Sequence, residues 1–134
     1  MKVVYDTSLY IDLLRSSKRL PLFTNREQVR YLSAVVMMEL VAGVRHAKQK
    51  RIVDSLISPY SKANRILSLN VPLYYKAGET LAVLSQQGWQ ISRSLVNDVL
   101  IALSSFSTGA VLYTNNRKDF QQIAKTIPLR LEFV

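Results

Sequence analysis

The segment KVVYDTSLYIDLLR, residues 2–15, contains the sequence pattern that is most informative about the fold class. Its opening KVVY is β-branched and aromatic, which is typical of a short buried strand. The polar turn Asp6–Ser8 follows, and LYIDLLR (residues 9–15) then has the apolar content of a helix. The segment therefore predicts a strand, a turn and a helix, with an acidic residue directly after the strand.

The same alternation continues along the chain. Further strands are predicted at residues 32–36, 65–69, 110–114 and 129–134, the last of them at a sheet edge, and further helices at residues 37–57, 73–87, 94–106 and 118–125. Residues 16–30 are polar and interrupted by a proline, and residues 58–64 are predicted as a loop. Five short strands separated by helices predict an α/β sandwich with a mostly parallel sheet.

Length and composition restrict the classes of protein that remain. The 134 residues are the size of one domain, so we expect residues 1–134 to form a single unit. The chain has no cysteine and one histidine, His46, which excludes disulfide scaffolds, thiolate metal sites and cysteine nucleophiles. Any metal ion would therefore be held by oxygen atoms.

The charge balance favours a polyanionic partner. The chain has 18 Lys and Arg against 9 Asp and Glu, a net charge of +9, so nucleic acid or a membrane surface is expected to attract it. No stretch reaches the roughly 18 uninterrupted apolar residues of a membrane span, because Glu39 interrupts the most apolar run. Asp6 lies where a signal peptide would need apolar residues, so a cytoplasmic location is expected.

Four of the nine acids lie within or directly after the most apolar segments. Asp6 follows the first predicted strand, Glu39 lies just after the second, and Asp119 lies five residues past Thr114, the end of the fourth. Asp98 lies on an apolar helix face, where burial without a partner would be costly. The carboxyl ends of parallel strands meet at one edge of a sheet, so convergence there predicts an oxygen-ligand site for Mg²⁺ or Mn²⁺.

Each of these acids also has a structural explanation. Asp6 could serve simply as a helix cap. Asp119 could simply lie in the first turn of a helix that Asn115 or Asn116 opens, where the helix dipole favours an acid. Capping competes evenly with a functional role at these two positions and less well at Glu39 and Asp98. Four caps could fall anywhere in a fold, whereas convergence on one crevice requires a common function.

Four ordered motifs span nearly the whole sequence. They are VVYDTSLYIDLL at the start, SAVVMMELVAG around Glu39, NDVLIAL around Asp98 and TNNRKDF after the fourth strand. In the order and intervals of these motifs the chain resembles PIN-domain ribonucleases, and specifically the VapC-type toxins of toxin–antitoxin pairs.

The resemblance implies a PIN-like α/β/α sandwich with a mostly parallel sheet of about five strands. It also implies an Mg²⁺- or Mn²⁺-dependent endoribonuclease acting on RNA, a homodimer, and inhibition by a cognate antitoxin. The implied catalytic and metal-binding residues are Asp6, Glu39, Asp98 and Asp119, and the implied supporting polar residues are Thr7, Ser8, Thr114 and Asn116. Some relatives place a further acid within the TNN segment, where this chain has amides, so the share of that motif in metal binding rests on Asp119.

Basic residues outnumber the remaining acids strongly. Apart from the four site acids, the chain carries 18 positive and 5 negative charges, which suits a rim that holds a phosphate backbone. For any one of these cations alone, a solubilising surface charge is the more common explanation. The first candidates for RNA contact are Arg45, Lys48, Lys50 and Arg51, and the others are Arg15, Lys18, Arg19, Arg26 and Arg30.

Two other functions compete with a toxin nuclease. A non-catalytic nucleic-acid-binding module would keep the basic surface without needing convergent carboxylates. A housekeeping RNA-processing nuclease would have the same site but no antitoxin.

Overall fold

Five parallel strands form the central sheet of the protein in a computed structural model that describes Met1–Val134. The strands lie in the order β3-β2-β1-β4-β5, and every neighbouring pair is parallel. The α/β prediction is confirmed, and the last strand is at an edge as expected. The strands are β1 Lys2–Tyr5, β2 Val29–Ser33, β3 Ile66–Leu67, β4 Val111–Thr114 and β5 Arg130–Phe133.

The strand order reverses at the middle of the sheet. From β1 the chain adds β2 and β3 on one side and then β4 and β5 on the other. In open parallel sheets such a reversal leaves a crevice beyond the carboxyl ends of the two strands that flank it, because the following connections diverge to opposite sides. Here that crevice lies beyond β1 and β4.

Seven helices surround the sheet. They are α1 Thr7–Arg15, α2 Leu20–Thr24, α3 Ala34–Ala42, α4 Ala47–Lys62, α5 Val71–Gln86, α6 Arg93–Thr108 and α7 Arg117–Ile123. None of them has the length and apolar composition of a membrane-spanning segment.

Each face of the sheet has its own kind of packing. On one face Tyr5 packs edge-on against Phe23 of α2 and lies beside Tyr10 of α1, with ring centroids 4.9 and 6.3 Å away. On the other face Ser33 of β2 lies 3.3 Å from Ser104 of α6, between their hydroxyl oxygens. Helix α6 is the most buried helix of the chain, which makes it a rigid support for any side chain that it carries.

The second strand begins three residues earlier than predicted. Val29 and Tyr31 pair with β1, and the strand ends at Ser33 rather than at residue 36. Ser33 ends it because its hydroxyl accepts a hydrogen bond from the Val35 N–H and caps α3. The apolar run after Ser33 is therefore helical, and Glu39 lies on the second turn of α3 instead of just beyond a strand.

The single helix predicted at residues 37–57 is wrong. Gly43 ends α3 and His46 caps α4, its Nδ1 accepting a hydrogen bond from the Gln49 N–H at 3.4 Å. The predicted loop at residues 58–64 is largely the end of α4, which continues through Pro59. Proline removes one helical N–H but leaves its own carbonyl, which here accepts from the Ala63 N–H and completes the last turn.

The polar stretch 16–30 contains the short helix α2. Pro21 lies in its first turn, where the missing N–H would have no partner within the helix. Pro21 therefore lies at the start of a helix, whereas the sequence pattern predicts only an interruption of a polar stretch.

Candidate active site

Asp6 lies at the carboxyl end of β1 and caps α1. Its Oδ1 accepts a hydrogen bond from the Thr7 N–H at 2.7 Å, and its Oδ2 accepts from the hydroxyls of Thr114 at 2.9 Å and Ser8 at 3.2 Å. The side chain is 5% exposed. The network joins β1 to the end of β4, so Asp6 lies in the crevice where the strand order reverses.

Glu39 reaches the same place from α3. The Thr7 hydroxyl donates to Glu39 Oε1 at 2.8 Å, so Thr7 contacts Asp6 through its N–H and Glu39 through its side chain. Thr7 is buried and Glu39 is half-buried. Although β2 ends earlier than predicted, the first two turns of α3 still bring Glu39 to Asp6.

Asp98 lies in the middle of α6 and is 7% exposed. The Asn116 Nδ2 donates to its Oδ2 at 3.3 Å. Both ion pairs of the chain are elsewhere, at Arg19–Asp12 and Lys50–Asp54, so no cation compensates Asp98. A mid-helix position also excludes a capping role for this residue.

Asp119 lies in the first turn of α7. The Asn116 Nδ2 donates to Asp119 Oδ2 at 3.1 Å, and Asn116 Oδ1 accepts the Asp119 N–H at 3.4 Å. The Asn116 N–H donates to the Thr114 hydroxyl oxygen at 2.9 Å. Asn116 therefore contacts two site carboxylates and joins them to the residue that holds Asp6.

A continuous chain of hydrogen bonds thus connects all four predicted carboxylates. It includes each of the predicted supporting residues, and Thr7 and Asn116 have the largest share because each contacts two acids. The capping explanation is also correct at Asp6 and Asp119, but Glu39 and Asp98 cap nothing. Capping alone therefore does not explain why the four carboxylates share one network.

The electrostatics of the cluster are dominated by burial and like charge. Burial raises the pKa of Asp98 to about 8, and the neighbouring charges of Asp6, Asp119 and Glu39 and a hydrogen bond with Asp119 add to the increase. Burial also raises the pKa of Asp6, although hydrogen bonds from Thr114, Thr7 and Ser8 oppose the increase. Such a cluster favours a positive partner, because a cation would relieve the repulsion among the carboxylates.

The donor set is suited to a hard divalent cation. All the side chains that converge here offer carboxylate, hydroxyl or amide oxygens, which are the ligands that Mg²⁺ and Mn²⁺ prefer. No three His, Cys, Asp or Glu side chains form a preformed metal-ligand group in this structure. Instead, hydrogen bonds from Asn116, Thr7 and Thr114 hold the carboxylates in their positions.

Side-chain stacking anchors α7 next to the site. Lys118 lies over the ring of Trp89, 5.7 Å from its centroid, and Arg117 lies over Phe133 at 4.4 Å. Gln122 Nε2 donates to Gln87 Oε1 at 2.7 Å. These contacts fix the helix that carries Asp119 against two other parts of the chain.

A groove of about 290 Å³ adjoins the site on the side of Glu39. Glu39 and Arg15 line it together with apolar residues of three helices, among them Ile11, Leu14 and Leu40. Sequence reasoning missed this groove. Leu14 is an exposed apolar residue, but nothing in the sequence indicates that it lies beside Glu39.

The predicted RNA-binding residues lie on the surface around α4. Arg45, Lys48 and Arg51 are exposed and form no ion pair, whereas Lys50 pairs with Asp54 at 2.7 Å. Of the other basic candidates, Arg19 pairs with Asp12 at 3.2 Å. The stretch that follows α3 therefore presents free positive charge just beyond the helix that carries Glu39.

Comparisons with known proteins agree with this geometry. A model of the PIN domain matches residues 3–126. The ribonuclease VapC2 of Rickettsia felis is 31% identical over 96 residues, which cover 72% of this chain and 69% of that protein.

Solved structures match the complete fold. One is VapBC2 from Rickettsia felis bound to a DNA fragment from their promoter, with a TM-score of 0.69 and 27% identity over 100% of this chain and 99% of that chain. Another is VapBC-1 from nontypeable Haemophilus influenzae, with a TM-score of 0.71 and 25% identity over 99% and 98% of the two chains. The chain belongs to the PIN-domain family and, within it, to the VapC-type proteins.

Proposed function

We propose that this protein is a metal-dependent endoribonuclease and the toxin component of a toxin–antitoxin pair. The observation that carries the proposal is the cluster of Asp6, Glu39, Asp98 and Asp119, four hydrogen-bonded carboxylates without a compensating cation. Membership of the VapC-type proteins supports the reaction class. We further propose that residues 1–134 act as a single PIN-like domain.

In this proposal Asp6 and Asp98 are the primary ligands of Mg²⁺ or Mn²⁺. Glu39 and Asp119 ligate directly or through water, and one of them orients the attacking water. A bound divalent ion would supply acidification of water and neutralisation of charge on the phosphoryl oxygens. Because the nucleophile is then water, the products should carry 5′-phosphate and 3′-hydroxyl ends.

The polar residues of the site position its acids. Thr114 and Thr7 hold the Asp6 carboxylate through hydrogen bonds, and Asn116 holds Asp98 and Asp119 because its Nδ2 donates to both. Groups that orient ligands in this way typically change metal affinity or activity about 10–100-fold when they are removed. We assign Thr7, Ser8, Thr114 and Asn116 to this role.

The RNA substrate is proposed to lie along the basic surface of α4. Arg45, Lys48 and Arg51 are free to contact backbone phosphates, while Lys50 would have to leave Asp54. Phosphate contacts of this type contribute affinity without sequence preference.

An antitoxin is proposed to cover the crevice and insert an arginine among the carboxylates. A guanidinium fits this place because its planar fork can donate to two carboxylates and replaces the charge of a metal ion. The groove beside Glu39, with its apolar wall, would hold the adjoining antitoxin segment. The VapBC complexes among the structural neighbours support a partner of this kind.

A homodimer is also proposed. Val71, Tyr74 and Tyr75 at the start of α5 are 81%, 55% and 73% exposed, which is unusual for apolar side chains of this size. A second copy covering this patch would remove them from water.

The proposed activity is tested with purified protein and a single-stranded RNA. Cleavage should require Mg²⁺ or Mn²⁺, and sequencing of the fragments should find 5′-phosphate ends. Full activity in excess chelator, or 2′,3′-cyclic phosphate products, would contradict the proposal. Glu39→Gln should be inactive, and the matched control Glu79→Gln, an exposed acid outside the site, should cleave normally.

A further inference from the structure

A second pocket, of about 280 Å³, lies at the opposite end of the sheet from the carboxylates. Its residues include Gln28 and Arg30 at the start of β2 and Arg65 just before β3. The four acids instead follow or lie beyond the carboxyl ends of the strands. The two sites share no lining residue.

The pocket carries positive charge that nothing within the chain neutralises. Arg30 and Arg65 both line it, no Asp or Glu does, and neither arginine belongs to an ion pair. Arg30 is half-buried, and one of its Nη atoms donates to the Asn25 carbonyl at 3.1 Å, which fixes the guanidinium. Two unpaired guanidinium groups at one cavity favour an anion.

Neutral donors complete the lining. The Tyr60 hydroxyl lies 2.9 Å from that of Tyr10, and Gln28 donates to the Tyr113 hydroxyl at 3.2 Å and accepts from Tyr5. Burial raises the pKa of Tyr60, so its hydroxyl stays protonated and does not cancel the charge of Arg30. The polar groups around the arginines are therefore held in place and uncharged.

We propose that this pocket binds the phosphate group of a small phosphate monoester. Two unpaired positive charges match a phosphate monoester, which carries about −1.5 to −2 at neutral pH, better than they match a carboxylate. Each guanidinium fork can donate two hydrogen bonds to phosphate oxygens. Phe23, Leu56 and Pro59 line the rest of the pocket and offer an apolar surface to an attached ring.

The experiment is titration calorimetry of the full chain in buffer freed of divalent ions. The probes are inorganic phosphate, adenosine 5′-monophosphate, adenosine and acetate. Both phosphates should bind, and adenosine and acetate should not. Equal binding of the two phosphates identifies the anion alone as the ligand, and tighter binding of the nucleotide identifies a nucleoside phosphate.

Matched variants locate the binding. Arg65→Gln should weaken both phosphates about tenfold or more, because it removes a charge-assisted hydrogen-bond donor from an exposed position. Arg93→Gln, an exposed arginine outside the pocket, makes the same change in net charge and should have little effect. Arg30→Gln should weaken binding as well, with circular dichroism checking its fold.

Three results would overturn the proposal. The first is that neither phosphate binds at concentrations on the order of 10 mM. The second is that acetate binds as tightly as phosphate, and the third is that Arg65→Gln and Arg93→Gln lose phosphate affinity equally. Asp98→Asn should bind phosphate like the wild type. The phosphate-binding proposal can therefore be wrong while the nuclease proposal is right, and the nuclease proposal can be wrong while phosphate still binds.

Discussion

The two ends of the sheet treat charge in opposite ways. At the carboxyl end, four acids share one hydrogen-bond network without a cation, in a chain whose net charge is +9. At the amino end, two arginines share a pocket without an acid. Acids and bases could pair within the chain, as Lys50 and Asp54 do, but at these two places they do not.

The contrast between the two ends shows that local charge indicates function better than net charge does. The 18 basic residues outnumber the 9 acids and predict a polyanionic partner, but this balance does not say where on the protein the partner binds. Like charges kept together in a folded chain destabilise it unless a ligand of opposite sign binds. The carboxyl end, where the uncompensated charge is most buried, should therefore respond most strongly to a change of charge.

The largest effect is expected from Asp98→Asn on RNA cleavage. The amide keeps the size of the side chain but loses the charge that would hold the metal and stabilise the transition state, a loss of about 100- to 1,000-fold or more in rate. Steady-state cleavage of a fluorescent RNA measures it. Glu79→Gln, which removes the charge of an exposed acid outside the site and outside the proposed RNA path, is the control and should keep the wild-type rate within a few fold. An active Asp98→Asn would exclude this acid from the chemistry.

Divalent metal should stabilise the folded wild type. Binding to the folded state alone contributes about 2.7 kcal/mol at one hundred times the dissociation constant, or roughly 10 °C in melting temperature for a chain of this length. Thermal melts with and without Mn²⁺ measure the increase. Asp98→Asn should show a smaller increase, and a wild type that does not respond to metal would count against the whole site.

The metal-free protein should lose stability as the pH rises. The pKa of Asp98 is about 8 in the folded protein and near 4 in the unfolded chain, so between these values the folded state keeps a proton that the unfolded chain releases. The stabilising contribution is complete below about pH 4 and is lost as the pH rises through about 8. Asp6, whose pKa is also raised, acts in the same direction.

Urea unfolding at pH 5 and pH 8.5 measures this loss, which should be at least about 1 kcal/mol. Asp98→Asn removes the titrating group and should show a smaller difference, with a metal-free stability at pH 8.5 equal to or above that of the wild type. A variant less stable than the wild type at both pH values would indicate a structural role for Asp98.

Much of this site could be predicted from sequence because strand ends are predictable. KVVY and AVLYT are short apolar runs, so the sequence predicts that Asp6 and Thr114 lie at strand ends, and the structure makes these two strands parallel neighbours. The prediction that Glu39 belongs to the site is based on a strand at residues 32–36, whereas this stretch is mostly helix α3. The boundary between β2 and α3 is hard to predict because apolar residues continue on both sides of it. Only the hydroxyl of Ser33 marks that boundary.

Other features depend on contacts between distant parts of the chain. Thr7 lies 32 residues from Glu39, and no local pattern indicates that the two form a hydrogen bond. The pocket around Arg30 and Arg65 could not be predicted either, because its walls come from β2, from two helices and from residues that directly precede β2 and β3. Nothing in the sequence around His46 indicates that it caps α4, because its capping role depends on the break between α3 and α4.

The smallest effect is expected from single basic residues of α4. If Lys48 contacts an RNA phosphate, Lys48→Gln should weaken binding only a few fold, because a surface phosphate contact contributes about 1 kcal/mol or less at physiological salt. The more specific sign is the salt dependence. The slope of log affinity against log salt concentration should become less steep by about 0.7 for each lost contact to a single strand. Fluorescence anisotropy at several salt concentrations, with catalytically inactive Asp98→Asn as background, measures both quantities.

Lys125→Gln, which changes an exposed lysine beyond α7, makes the same charge change and is the control. Equal slopes for the two variants would show that Lys48 contributes only general charge, and the basic surface of α4 would then not be the path of the RNA.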